Sequence, residues 1–258
     1  VVTFKALGKY TVSGTIDGAG LVTRTETKLP NPVMGDMAVV TTYADYKDYN
    51  GVKFPGKILE VQGDFPVWDL NITTVQPNAA ADLPVPAAVQ SATVPPVTVA
   101  SSKLADGVWL VAGGSHHSVV VDFDKFIEAP QNEERSVAVI AEAKKLVPNK
   151  PIKYVLTTHH HFDHSGGLRT YVAEGATVIT HETNKPYFEK TFRAPATLVP
   201  DAQSKSPKKA TIVGVKDKYV LMDGKQKIEV YPTVGDQHSD ELSVLYLPGP
   251  KMLIEAAS

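Results

Sequence analysis

Four of the eight histidines of this chain fall within six residues, His159-His160-His161-Phe162-Asp163-His164. They follow directly on the run Tyr154-Val155-Leu156-Thr157. In an extended segment, residues two apart point the same way, so His159 and His161 can face one point while His160 points away. Two imidazoles converging on one point suit a metal ion, and zinc in particular. Imidazole binds zinc at ~2.0–2.1 Å, and three protein ligands plus one open position define a catalytic site. The best candidate for the third ligand is His238, in the turn Gly235-Asp236-Gln237-His238-Ser239-Asp240. The chain contains no cysteine, so a metal site must be built from His, Asp or Glu.

The elements that must position these side chains read as two regions joined by a third. Residues 1–76 alternate apolar and polar side chains between turn signals such as Asp17-Gly18 and Asn50-Gly51. Tyr10–Ile16, Met37–Tyr43, Lys57–Val61 and Trp68–Ile72 read as strands of a small antiparallel β domain. Residues 77–97, with Pro77, Pro84, Pro86, Pro95 and Pro96 among alanines, read as a stiff linker. Residues 98–258 alternate strands and helices, which implies a layered α/β domain. Its strands are expected at Gly107–Val111, Ser118–Phe123, Ile152–Thr157, Ala176–Thr180, Lys227–Tyr231, Leu242–Leu247 and Met252–Glu255. Its helices are expected at Glu133–Val147, burying Val137, Ile140, Ala141 and Leu146, and at Gly167–Glu174. The histidine cluster then lies just beyond a strand end, where α/β folds place their ligand sites.

Composition narrows the partners. Hydrophobic residues make up 43% and charged residues 21%, with a formal net charge of −2. That is an ordinary globular composition, with no basic field for nucleic acid. No apolar run reaches the ~18 residues that would span a bilayer as a helix. The chain opens on Val-Val-Thr-Phe-Lys, which reads as a mature or trimmed start. Lack of cysteine does not fix the compartment; a periplasmic or secreted setting is favoured over the cytoplasm.

His159-x-His161-x-Asp163-His164 followed by Gly166-Gly167, then Gly235-x-x-His238-Ser239, then Lys251–Glu255, resembles the motif series of the metallo-β-lactamase superfamily over about residues 100–258. The resemblance implies an αββα sandwich with metals at one edge of its two sheets. It implies a first metal on His159, His161 and His238, with Asp163 and His164 contributing to a second. The family also places a metal-bridging Asp at the position that is Ala257 here, and no His follows His238. The second site is therefore expected to be incomplete, with one zinc ion held. The chain is expected to be a fragment of a longer protein, because a sandwich short of its last elements would expose a large apolar face.

The chemistry implied is hydrolysis of a small-molecule ester, thioester, lactone or amide (β-lactam-like) bond. Zinc on three neutral imidazoles makes hydroxide available near neutrality. Asp163 would orient the nucleophile and then carry a proton. The alternative is a metal-binding, catalytically impaired protein that works as a binding module through its N-terminal β domain. Among the other candidates, His116 and His117 read as a surface turn and His160 and His181 as structural, while an anchor for a ligand His is the second reading of Glu128 after a purely structural one.

Overall fold

Alternation in the first region produces strands β1 (Val2–Ala6), β2 (Tyr10–Ile16), β3 (Val22–Asn31), β4 (Gly35–Ala44), β5 (Lys47–Tyr49), β6 (Val52–Phe54), β7 (Lys57–Gln62) and β8 (Phe65–Asn71). This computed structural model describes all residues except Ala81, 123–125, 129–130, Lys225, Ala257 and Ser258, and for 126–128 the backbone alone. The expectations placed on the Ala257 position and on the Glu128 side chain therefore lie outside the described residues. The chain divides into two compact units, one of Val1–Asn31 and Asp36–Pro95, the other of Pro32–Gly35 and Pro96–Ser258.

The first unit is a six-stranded sheet, β1-β2-β3-β4-β7-β8, with a separate β5–β6 hairpin. Among the described residues Val39 and Pro55 are its buried apolar side chains, and Phe65, Val67, Trp68 and Leu70 of its edge strand are exposed. The Pro/Ala-rich stretch was expected to be extended throughout, but it contains one helical turn, α1 (Ala87–Gln90). That turn follows Pro86, whose fixed φ suits a helix start.

The second unit is layered. Strands β9 (Ala100–Ala105), β10 (Val108–Ala112), β11 (Ser118–Val121), β12 (Phe126–Glu128), β13 (Tyr154–Leu156), β14 (Thr177–His181) and β15 (Thr211–Val215) form a mixed seven-stranded sheet. Strands β16 (Tyr219–Met222), β17 (Lys227–Pro232), β18 (Ser243–Leu247) and β19 (Met252–Ile254) form a four-stranded antiparallel one. The helices are α2 (Glu133–Leu146), α3 (Phe162–Ser165), α4 (Leu168–Glu174), α5 (Lys185–Thr191) and α6 (Ala202–Lys205). Successive residues of the large sheet face opposite layers. Val120, Val155 and Val178 join Val139, Ala143, Leu168, Val172 and Phe188 of the helices. Their neighbours Val121, Leu156 and Ile179 join Leu221, Ile228, Val230, Leu245 and Leu247 of the small sheet. Each such aliphatic side chain contributes ~1.5–3 kcal/mol on full burial. Helix, sheet and sheet are thus stacked as the first three layers of the expected αββα order. Among the described residues no helix covers the far face of the small sheet, where Val220, Met222 and Leu253 are exposed.

Helix α2 differs from expectation in its buried stripe. Val137 is exposed, as is Ala141, and the buried residues are Arg135, Ser136, Val139, Ile140 and Ala143. The reason is Arg135: its guanidinium donates to the carbonyls of Val111 and His116 in the sheet, which turns the helix by about one position. Asn132 caps the helix by accepting from the Arg135 amide, Glu133 and Glu134 lie in its first turn, and Lys144 and Lys145 in its last.

A second buried arginine ties α4 to the loops behind it. Arg169 pairs with Asp201 and donates to the carbonyls of Thr191 and Ala194 at 2.7 and 3.1 Å. Asp201 in turn accepts from the Ser204 amide at the start of α6. Burial opposes ionisation of Asp201, but the Arg169 and Ser204 hydrogen bonds outweigh it and hold the carboxyl below the usual range. Arg169→Ala leaves that carboxylate largely buried and unpaired, and should cost ~3–5 kcal/mol in urea unfolding. A loss under ~1 kcal/mol, the range of a surface ion pair, would show the pair to be solvated.

Candidate metal centre

Strand directions explain why the histidines meet. β10 and β12 are both antiparallel to β11, and β12 is parallel to β13. The loops after β10 and after β13 therefore leave the same edge of the large sheet. The loop from β17 to β18 joins them, pinned by the Ser243 amide donating to the Thr158 carbonyl at 2.8 Å. His238 sits in that loop at an Asp236-led turn, its amide donating to Asp236 Oδ1 at 2.8 Å.

Three ring nitrogens close on one point. His159 Nε2 lies 3.1 Å from His161 Nδ1, His161 Nδ1 lies 3.2 Å from His238 Nε2, and His238 Nε2 lies 3.1 Å from His159 Nε2. Tetrahedral bonds of ~2.0–2.1 Å put neighbouring ligand atoms about 3.3 Å apart. The triangle thus has the size a zinc-like ion requires. Its donor chemistry fits as well. His159 is fully buried, and its second nitrogen Nδ1 lies 3.1 Å from Thr158 Oγ1, which orients the ring. Burial first, then the neighbouring His164, His161 and His238, push the His159 imidazole down to about 3. Burial and then His160 and His238 lower His161 too. These rings are neutral near neutrality, which is the form that binds a metal.

Asp163 and His164 sit on α3, one turn past the first set, and the loop after β10 brings His116 to them. His116 Nε2 lies 3.1 Å from Asp163 Oδ2, and His164 Nε2 lies 3.5 Å from the same oxygen. One atom each from His116, Asp163 and His164 lies within 4.8 Å of the others, a second grouping able to hold a metal beside His159, His161 and His238. Burial raises the Asp163 carboxyl, but His164 beside it, its backbone hydrogen bond and His116 bring the net below the ordinary value.

The five residues expected at the site, His159, His161, Asp163, His164 and His238, are brought together. His160 stays out of both groups, its Nδ1 3.6 Å from Glu241 and its ring edge-on to Tyr187. His181 caps the following turn by accepting from the Thr183 amide. His116, read from the sequence as a surface turn, is instead half-buried against Asp163. The available signal was its place after Gly113-Gly114 in a hairpin, but its reach across the intervening strand was not legible locally.

One glycine holds the geometry. A Cβ on Gly166 would stand 1.8 Å from the Gln131 carbonyl oxygen and 2.8 Å from that of Phe162. Gly166 thus lets the turn of α3 lie directly against the loop before α2, where the Gln131 amide donates to the Asp163 carbonyl at 2.7 Å.

The sequence profile of the metallo-beta-lactamase superfamily matches residues 108–254, more than half of the chain. The protein belongs to the metallo-beta-lactamase superfamily. Solved structures resemble part of the chain at low identity. A metallo-beta-lactamase from Pontibacter korlensis is 21% identical, with 60% of this chain and 70% of that one covered and a TM-score of 0.45. The metallo-beta-lactamase DIM-1 is 18% identical, with 61% and 69% covered and a TM-score of 0.46. The flavodiiron protein of Giardia intestinalis is 18% identical, with 62% of this chain but 41% of that one covered and a TM-score of 0.46. A search of curated proteins gave no match. Among the described residues of this superfamily member, no helix is long and apolar enough to cross a membrane.

The lowered histidines carry a pH signature. In the unfolded chain they take up protons near 6.5, whereas folded His159 resists protonation down to about 3. Between those values the metal-free fold holds fewer protons than the unfolded chain, so its stability falls as pH falls. Urea midpoints of chelated protein should drop between about pH 7.5 and about pH 5, and His159→Asn should flatten that drop. A midpoint that rises toward acid would contradict the burial of His159.

Proposed function

We propose that this superfamily member is a zinc-dependent hydrolase acting on a small molecule with an ester, thioester, lactone or amide bond. The observation that carries this reading is the 3.1–3.2 Å triangle of His159, His161 and His238, three imidazoles at the size of a tetrahedral zinc site. All three donors are nitrogens, which suits zinc better than a hard cation such as magnesium. When bound there, zinc supplies a Lewis acid that polarises a carbonyl and lowers the pKa of a water to ~7.

The chain's own residues do the rest. Thr158 fixes His159, and the Asp236-led turn fixes His238, so the ligand atoms are set before any substrate arrives. Asp163 is the general base: its carboxylate is half-buried, held ionised by its histidine neighbours, and placed on α3 directly after His161. Phe162 is 68% exposed and Val234 is 98% exposed, one in each of the two loops that carry first-site ligands. An apolar group flanking the scissile bond is the natural occupant beside them.

The second reading, a binding module without turnover, draws on the exposed Phe65 and Trp68 of the edge strand β8. Elemental analysis and hydrolysis decide between the two. Protein purified without chelator should contain zinc and turn over aryl esters or thiolactones. His161→Ala should lose the tightly held zinc and reduce kcat/KM by about a thousandfold or more, ~4 kcal/mol of transition-state stabilisation. Asp163→Asn should reduce kcat about a hundredfold or more with KM little changed. Zinc-loaded protein inactive on every ester, thioester, lactone and amide offered would favour the binding reading, and iron in place of zinc would refute the metal assignment.

A further inference from the structure

The third ring of the triangle stands on the least buried backbone of the three. His159 is buried at a strand end, whereas His238 is exposed and lies in residues 233–242, between β17 and β18. Of residues 234–240 only Ser239 is buried. The Asp236 carboxylate accepts from the His238 and Ser239 amides, at 2.8 and 3.4 Å. Those bonds shape the turn but leave its distance from His159 and His161 unset. Burial cannot fix such a ring, so a polar tie to a neighbouring element must. Glu241 supplies one. Its Oε2 accepts from Ser239 Oγ at 2.9 Å, on the residue next to His238. The same oxygen stands 3.6 Å from His160 Nδ1, on the residue between His159 and His161. The Glu241 carbonyl accepts from Asn184 Nδ2 at 3.5 Å, and Asn184, in the turn after β14, is 3% exposed.

One carboxylate oxygen thus faces both loops that carry the triangle. We propose that Glu241 is a positioning residue for His238, acting through Ser239 on one side and His160 on the other. This rests on the reading that His159, His161 and His238 hold a metal ion. The approach to His160 is longer than a hydrogen bond, but short enough for the carboxylate to attract the N–H of an imidazole protonated on Nδ1. It gives a use to the one histidine of the 159–164 cluster that stays out of both groups of potential ligands. Tyr187 meets the His160 ring edge-on, with centroids 6.1 Å apart, and limits its rotation. A functional side chain must be held within about 0.5 Å and 10–20° of its working geometry. The other tie between these loops, from the Ser243 amide to the Thr158 carbonyl, lies at the root of β18. A contact there fixes where the loop begins but not where its tip points. Glu241 acts on the residue adjoining the ligand itself.

The test reads zinc affinity rather than turnover. Chelated full-length protein is titrated with zinc chloride against a chromophoric chelator, and the same metal-free samples are unfolded in urea. Glu241→Ala should weaken the tightest equivalent about tenfold to a hundredfold, the range for groups that orient a metal ligand from behind. Glu241→Gln keeps an acceptor for Ser239 but loses the charge facing His160, and its zinc affinity should fall between. In a His238→Ala background, Glu241→Ala should change zinc affinity little further, because the ring it positions is gone. Unchanged zinc affinity in Glu241→Ala, with or without a lower urea midpoint, would overturn the proposal. An equal loss of affinity with and without His238 would overturn it too, since that marks a general structural role. If far-UV circular dichroism shows Glu241→Ala unfolded, Ser239→Ala, which removes a single hydroxyl, takes its place with the same expectations. Failure of the underlying metal reading is separate: it shows as His238→Ala alone leaving zinc affinity unchanged.

Discussion

Three imidazole nitrogens held 3.1–3.2 Å apart impose a condition on everything around them. Neutral rings at that spacing present lone pairs to one another, and a single N–H can relieve only one pair at a time. Protonation would relieve more, but burial denies His159 a charge until the pH is about 3. A divalent cation satisfies all three at once. Metal affinity at such a site becomes part of the stability of the folded state. A site of this kind cannot rest on flexible loops, because each ring would simply rotate away.

The structure meets that condition by anchoring the backbone and the far side of each ring. Thr157 Oγ1 donates to the His159 carbonyl at 2.6 Å, and Ser165 Oγ donates to the His160 and His161 carbonyls at 2.9 Å. Thr158 addresses the second nitrogen of His159 and, through its carbonyl, receives the start of β18. The two sheets are thereby locked together at the edge where their loops meet. Arg135 performs the same task for the β10 loop from the helical layer. Burying its guanidinium is costly in itself, and the cost is offset by charge-assisted hydrogen bonds to backbone carbonyls. The large sheet supplies two fixed loops and the small sheet one, with the helix layer holding the β10 loop through Arg135, so the layered packing is what sets the geometry of the ring triangle.

How much of this was legible in the sequence depends on range. His159, His161, Asp163 and His164 were readable because period-two extension and a short turn place them locally, next to an apolar strand. His238 was readable as a histidine in a turn between two strands, within Gly235-x-x-His238-Ser239. The α/β order and the antiparallel N-terminal strands followed from alternation between turn residues. What failed was long-range. Val137 and Ala141 fit a helical stripe as well as Val139 and Ala143 do, and only the reach of Arg135 to Val111 and His116 selects between them. His116 lies 47 residues from Asp163, and nothing in Gly113-Gly114-Ser115-His116-His117 announces that β12 will place the hairpin on the same edge as β13.

The same architecture separates the part of the site that must be rigid from the part free to vary. His159 and His164 are buried at the strand end, and their partners are backbone and hydroxyl groups of the core. Phe162 and Val234 lie in the same loops but point to solvent, where a change of side chain disturbs no packing. Side chains can therefore change at the exposed positions without altering the triangle of His159, His161 and His238, so the fold by itself leaves the substrate open. In this chain the division runs through consecutive residues: His161 joins the ring triangle, Phe162 faces outward, and Asp163 turns back toward His116 and His164, because one turn of helix α3 directs neighbouring side chains about 100° apart.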